Sequence, residues 1–408
     1  MRPKAYFRRT IRAFVMTLMV LVSALVNGRG WSQEPATLPD LDTFRTAKQA
    51  YFRNPAQAAE LFRSFIGKYR DSEWTPEAYY WLAKSLETAQ ADRAQVIKAY
   101  TLFLRRYPNH ALADEASFAI AEVYHNLQDG PDLERALDRY KQFVGNYPNS
   151  DRMPEAYFRT GDVQIALGHY DKALEAFRKV IHDFTQSPFV MPARVGEADC
   201  LERLGRYQEA AAACGELLRM PGTDWDTMRV RLILLNCDLK TNQIAQALVE
   251  AERIRSEADK GGARKDWTAF DSYQRLAAYY LQAKDPGKAA AQMRAFMERY
   301  PNSEAVWWAR EWLGEINLSA GRLIEAREEF LRVVTEHPRA EDKDPPDLVP
   351  YARMRLAYTY EVEANYEEAI KQYQKVVDQS PDSSRAKQAR THIEEVKKLL
   401  SSQRKENK

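Results

Sequence analysis

The sequence predicts an all-α, right-handed superhelical solenoid of about nine helical hairpins, and three observations predict it. First, a turn signature recurs, clearest in Tyr107-Pro108-Asn109-His110, Tyr147-Pro148-Asn149-Ser150 and Tyr300-Pro301-Asn302-Ser303. With Tyr69, Tyr107, Tyr147, Phe184, Met220, Tyr300, His337 and Ser380 taken as equivalent, the steps run from 36 to 43 residues, apart from one of 80 that spans two units. A period of this size is that of stacked helix pairs. Second, in the second helix of each pair (helix B) a small residue stands four residues before a larger one. The small residues are Ala58, Val96, Ala136, Ala173, Ala210, Ala247, Ala289, Ala326 and Ala369. Their partners are Phe62, Tyr100, Tyr140, Phe177, Cys214, Ala251, Met293, Phe330 and Tyr373. Residues four apart share a helix face, so the small one admits the first helix (helix A) and the large one fills the groove beside it. Third, the A-to-B turns Gly168-His169-Tyr170, Gly205-Arg206-Tyr207 and Gly321-Arg322-Leu323 carry the glycine that ends a helix in the left-handed conformation.

The elements follow in order. Arg2, Lys4, Arg8, Arg9 and Arg12 precede the apolar run Ala13–Val26. That run is short for a membrane span and suits a signal-peptide core, with cleavage after Gly28 or Ser32; an uncleaved anchor is the alternative. Residues 1–32 are therefore set apart as a signal segment and 33–39 as a linker. Residues 40–400 read as one uninterrupted solenoid. Thr75-Pro76-Glu77 and Met153-Pro154-Glu155 place proline in the first turn of an A helix, where its missing N–H costs nothing. Gly161 and Gly314 fall in the middle of A helices, a cost of about 1 kcal/mol each against alanine that a crossing B helix would justify. Ala251 breaks the large-residue rule, which makes the sixth hairpin the least regular. Ser256–Asp266, with Gly261-Gly262, reads as a longer turn or hinge. Arg339–Pro350, with three prolines and four acidic residues, reads as a surface insertion. Ala386–Leu400 is the closing helix, whose outer side must be polar. Residues 401–408 read as a disordered polar tail.

The stretch Gly161…Gly168-His169-Tyr170-Asp171-Lys172-Ala173-Leu174-Glu175-Ala176-Phe177 resembles a tetratricopeptide repeat. The resemblance covers most of Asp40–Leu400. Units longer than the usual repeat, and a Tyr-Pro-Asn-Ser turn followed by Pro-Glu-Ala-Tyr-Phe, are similar to bacterial cell-envelope members, of the outer-membrane assembly lipoprotein and Tol–Pal coordinator type. The resemblance implies a protein-binding scaffold in the periplasm or cell envelope. The match to the assembly lipoprotein stops at its anchor, because no cysteine lies near the cleavage region. Membrane attachment is then expected only through an uncleaved N-terminus or a partner.

Composition narrows the function classes. The formal charge of +2 falls to −4 when removal of residues 1–32 takes away six basic residues and no acidic one. A mildly acidic, mixed-sign chain argues against nucleic acid as a partner. Six histidines are scattered over separate units, and no zinc spacing, phosphate loop or nucleophile elbow occurs. No catalytic residue, cofactor or metal is nominated, and the chain is read as a non-enzyme. His110 and His169 sit at turns, as solvated or capping groups. Cys200, Cys214 and Cys237 read as small packing residues, with a Cys200–Cys214 bridge inside one hairpin as the alternative.

Candidate binding residues come from aligning A helices on Gly161. This places Tyr80, Phe118 and Phe158 at one equivalent position, which in the resembled family tends toward the inner, concave face. Trp308, Tyr351, Met354 and Tyr358 map to similar positions near the C-terminal end. Such an aromatic stripe would seat a peptide segment, and packing between helices is the competing role. Some members of the family grip a peptide C-terminus with a lysine–asparagine clamp. The matching pairs here, Tyr80/Lys84, Phe118/Glu122 and Phe158/Asp162, lack it. With eight tryptophans and twenty-two tyrosines, binding of peptidoglycan or another polysaccharide is the alternative function, and a membrane-anchored subunit of an envelope complex is a third.

Overall fold

The computed structural model describes residues 39–126, 130–220, 227–261, 265–339 and 347–406. The N-terminal segment and nearly all of the linker lie outside them, as do Glu341, Asp342 and Asp344 of the insertion. The described residues form nineteen α-helices and no strand. They fall into two compact units, Met1–Pro148 and Asn149–Lys408, within what the sequence reads as one solenoid.

The first unit holds α1 (Pro39–Tyr51), α2 (Pro55–Lys68), α3 (Thr75–Thr88), α4 (Arg93–Arg106), α5 (Ala113–His125) and α6 (Gly130–Asn146). The second begins with α7 (Met153–Ala166), α8 (Tyr170–Asp183), α9 (Val190–Arg203), α10 (Tyr207–Leu217), α11 (Thr227–Lys240) and α12 (Ile244–Ala258). It continues with α13 (Lys265–Gln282), α14 (Pro286–Arg299), α15 (Val306–Ser319), α16 (Leu323–Glu336), α17 (Leu348–Val362), α18 (Tyr366–Gln379) and α19 (Ser384–Glu406). Odd-numbered helices are A helices and even-numbered ones B helices, which gives nine hairpins and a closing helix. Within each unit every helix packs on the next. In the second unit A helices also touch A helices, α7 on α9, α9 on α11, α11 on α13, α15 on α17 and α17 on α19.

The small-and-large rule of the B helices is the packing rule of the structure. All nine small residues and all nine partners are buried. The mid-helix glycines show why. A Cβ on Gly161 would stand 2.5 Å from the Phe177 ring, and one on Gly196, in the next A helix, 2.7 Å from the same ring. Phe177 is thus wedged between two glycines, and Gly314 makes the same room for Phe330 at 2.6 Å. In the sixth hairpin, where Ala251 replaces the ring, Leu232, Leu235 and Leu239 of α11 complete the cluster around Ala247, Ala251 and Ile254.

Caps and turns follow local chemistry. Asn54, Asp92, Asp285 and Asn365 accept backbone N–H bonds at the starts of B helices, and Pro76 and Pro154 occupy first turns. His110 Nδ1 accepts the Leu112 N–H at 3.2 Å, a capping role, and His169 Nδ1 lies 3.0 Å from Gln164 Oε1. The A-to-B glycines 168, 205 and 321 have φ near +75°. Gln90, Asn242, Lys284 and Ala364 hold the same left-handed corner without being glycine. The three cysteines are free and buried, so the Cys200–Cys214 bridge is not formed. All three belong to one apolar cluster with Phe177 and Leu217. The closing helix continues through Ser401 to Glu406, where a disordered tail was expected, and Arg404 pairs with Glu367 at 2.6 Å.

Candidate functional site

The expected binding residues divide into two groups. Tyr80 and Phe118 are buried, and they face their own B helices rather than a partner. Tyr80 packs edge-on to Tyr100 and Phe103 at 6.1 and 5.8 Å between ring centres, and Phe118 edge-on to Tyr140 and Phe143 at 5.6 and 5.4 Å. Phe158 is partly buried against Phe177 and Phe189 at 5.7 and 5.5 Å. These three positions therefore serve the hairpin cores, a correction to the inner-face expectation for Tyr80 and Phe118. The physical reason is angular. One residue is about 100° around a helix, so a marginal position turns into the groove between helices whenever a ring there finds partner rings.

The second group remains accessible. Trp308 on α15 and Tyr358 on α17 are each 39% exposed. Tyr351 and Met354 are partly buried on α17. Tyr351, Met354 and Tyr358 recur at helical spacing along the side of α17 that α15 and α19 also approach. The Tyr351 hydroxyl donates to Glu315 at 3.3 Å, and the guanidinium of Arg385 lies 4.9 Å from its ring centre. The Arg355 guanidinium lies 5.3 Å from the Tyr358 ring, an arrangement that stiffens both side chains. An open cavity of about 400 Å³ sits at the C-terminal ends of α15 and α17, lined by Glu315, Leu318, Leu323, Arg355, Tyr358 and Val362.

Polar contacts also join A helices of the second unit to one another. Asp199 meets Arg229 at 3.4 Å, Glu202 meets Asn236 and lies 3.9 Å from Arg275, and Glu315 is held by both arms of Arg355. Asp347 is held in the same two-armed way by Arg385, at 2.5 and 2.6 Å, and this keeps its carboxyl below the usual range. Glu311, one turn from Trp308, differs. It is 7% exposed and, among the described residues, has no hydrogen bond or ion pair. Burial, followed by the nearby Glu315, pushes its carboxyl up to about 7, against the pull of Arg355 and Arg385. Sequence reasoning passed over Glu311, since a single glutamate in a chain with 29% charged residues carries no signal.

No group of three His, Cys, Asp or Glu side chains suited to a metal ion occurs among the described residues. Burial pushes the thiols of Cys200 and Cys237 up to about 12 and that of Cys214 higher still, so none is poised as a nucleophile. Among these residues no helix is long and apolar enough to cross a membrane.

Comparison with known proteins agrees with this architecture. Family models described as tetratricopeptide repeat match residues 77–110, 125–188, 158–224, 275–341 and 351–383, together more than half of the chain. The chain is similar to human DnaJ homolog subfamily C member 7, 25% identical over 238 residues that make up 55% of this chain and 42% of that protein. It thus spans less than half the length of the curated relatives it matches. Among solved structures, the C-terminal part of a TPR repeat-containing protein from Cytophaga hutchinsonii aligns with a TM-score of 0.50 at 16% identity, over 65% of this chain and 98% of that one. PilW, a type IV pilus biogenesis factor, aligns with a TM-score of 0.41 at 19% identity, over 57% and 97%. On its repeats and its matched models, the chain belongs to the tetratricopeptide-repeat family.

Proposed function

We infer that this chain is an interaction scaffold of the cell envelope, working by binding rather than catalysis, and that it seats a protein partner on the A-helix side of α15 and α17. The repeat family supports a protein partner. The observation that carries the site is the pair of half-exposed rings, Trp308 and Tyr358, on two adjoining A helices whose other aromatic residues are partly buried. Aromatic side chains dominate binding energy at interfaces, and Arg355 stacked on Tyr358 leaves that ring presented rather than mobile. Export rests on the basic and apolar residues of the first thirty-two positions.

The test places a photo-crosslinking amino acid at Trp308 or Tyr358, and for comparison at Val249, an exposed position on B helix α12, in the cells that make the protein. The expected outcome is a discrete protein adduct from positions 308 and 358 and none from 249. Adducts from Val249 alone would move the site to the B-helix side. N-terminal sequencing of the same material checks the compartment. A start after Gly28 or Ser32 in the periplasmic fraction is expected, and a start at Met1 in membranes would make the chain an anchored subunit instead.

A further inference from the structure

The buried Glu311 sets the chemistry of what α15 and α17 would receive, an inference that rests on the scaffold reading above. Around it stand Glu315 of its own helix, Tyr351 and Arg355 of α17, and Arg385 of α19. Both arginines are already committed, Arg355 to Glu315 and Arg385 to Asp347, each with two contacts. Three carboxylates face two guanidinium groups, so one negative charge at this place is left without a counter-charge among the described residues. An unpaired carboxylate that is largely desolvated is costly unless a cation arrives or a proton binds. Apolar and aromatic surface flanks it, with Trp308 one turn before it and Met354 and Tyr358 on the adjoining helix.

We propose that Glu311 is the anchor for a single basic side chain, lysine or arginine, of an otherwise apolar peptide segment laid across α15 and α17, whose flanking apolar side chains rest on Trp308, Met354 and Tyr358. An acidic segment is disfavoured by the same surplus charge. A purely apolar one leaves the carboxylate buried deeper and still unpaired. Near neutral pH Glu311 would exchange a proton for the incoming cation, since burial and Glu315 hold it close to 7. Binding is then coupled to proton release.

A phage-displayed random dodecapeptide library panned at pH 8 on the full chain, on its Glu311→Gln variant and on Trp308→Ala tests this. The wild type should enrich histidine-free peptides with one lysine or arginine between apolar or aromatic residues. The basic position should vanish from the consensus selected on Glu311→Gln. In the best peptide, lysine to norleucine should weaken binding to the wild type about tenfold or more and to Glu311→Gln little, a coupling that a double-mutant cycle isolates. Affinity of the wild type should rise about tenfold from pH 6 to pH 8, following ionisation of Glu311, while that of Glu311→Gln stays flat. A consensus without a basic residue, or norleucine penalties equal on both chains, overturns the anchor and leaves the scaffold standing. An acidic consensus, or binding indifferent to Trp308→Ala, overturns the proposal. No enrichment on any chain overturns it together with the peptide-binding form of the scaffold reading.

Discussion

At the scale of single residues, two positions carry energy out of proportion to their chemistry. The Phe177 ring is trapped between the backbones of Gly161 and Gly196, so it cannot yield to a new methyl group on either side. Gly161→Ala is therefore expected to destabilise the chain by about 1–3 kcal/mol in urea melts, although alanine is the better helix former. Combining it with Phe177→Leu should cost less than the sum of the two single changes, because the leucine vacates the space the methyl needs. Additive losses would mean that the ring is not what excludes the methyl. Glu311 acts through pH. Its folded pKa is raised from an ordinary carboxylate value of 4.5 to about 7, so the folded state holds its proton more tightly than the unfolded chain does. The stability this contributes is full below about pH 4.5 and is lost as pH rises through 7. Glu311→Gln should consequently be more stable than wild type at pH 8 by up to about 3 kcal/mol, with the gap closing toward pH 4.5. Asp238, pushed up to about 6 by burial and Glu250, adds a slope of the same sign that both chains share. A gap that does not change with pH would show that Glu311 is not the buried acid described.

At the scale of elements, the A-to-B turns separate what the sequence states from what it hides. Gly168, Gly205 and Gly321 announce their left-handed corners, whereas Gln90, Asn242, Lys284 and Ala364 adopt the same corner with no glycine to mark it. Hydrogen bonds close these corners whatever residue stands there. The Ala91 N–H reaches Leu86, Gln243 reaches Asp238, Asp285 reaches Tyr280 and Asn365 reaches Tyr360, just as His169 reaches Gln164. The packing of the hairpins thus imposes the conformation, and alanine bears it least well, because its Cβ crowds the carbonyl without a polar side chain to compensate. Ala364→Gly is expected to stabilise the last hairpin by about 1 kcal/mol, read as a rise in the urea midpoint at unchanged slope. No gain, or a loss, would mean that chain entropy of the unfolded state outweighs the strain. The B helices were legible almost residue by residue, since burial of Ala58 or Ala326 and of Phe62 or Phe330 follows from four-residue spacing alone. The A helices were not, because they pack on two sides, against their own B helix and against neighbouring A helices. A ring such as Tyr80 or Phe118 can satisfy either contact, and only the three-dimensional structure decides between them.

At the scale of the whole molecule, stacked hairpins have no single core, and each unit is a row of local clusters that share helices. Stability in such a row is the sum of each hairpin's own terms and those of its neighbours, so opening can be local. The repeat made this legible from sequence, whereas the accessible end of the row was not, because exposure of Trp308 and Tyr358 depends on which neighbouring rings already fill the grooves. The three free thiols offer a direct reading of local opening. Cys200, Cys214 and Cys237 sit on three consecutive helices, α9, α10 and α11, fully buried in the cluster that holds Phe177. Their thiolates are suppressed both by burial and by the carboxylates around them, Asp199, Glu202 and Asp238 among them. The native protein should therefore react with an aromatic disulfide reagent only as fast as this region opens, and with three equivalents at once in denaturant. Removing the ring by Phe177→Ala, a loss of about 3–5 kcal/mol, should speed native labelling by orders of magnitude while leaving the unfolded rate unchanged. The Ala364→Gly change, three hairpins beyond the one that holds Cys237, should leave the labelling rate as it was if the hairpins open independently. A matching slowdown there would instead show that the second unit opens as one cooperative body.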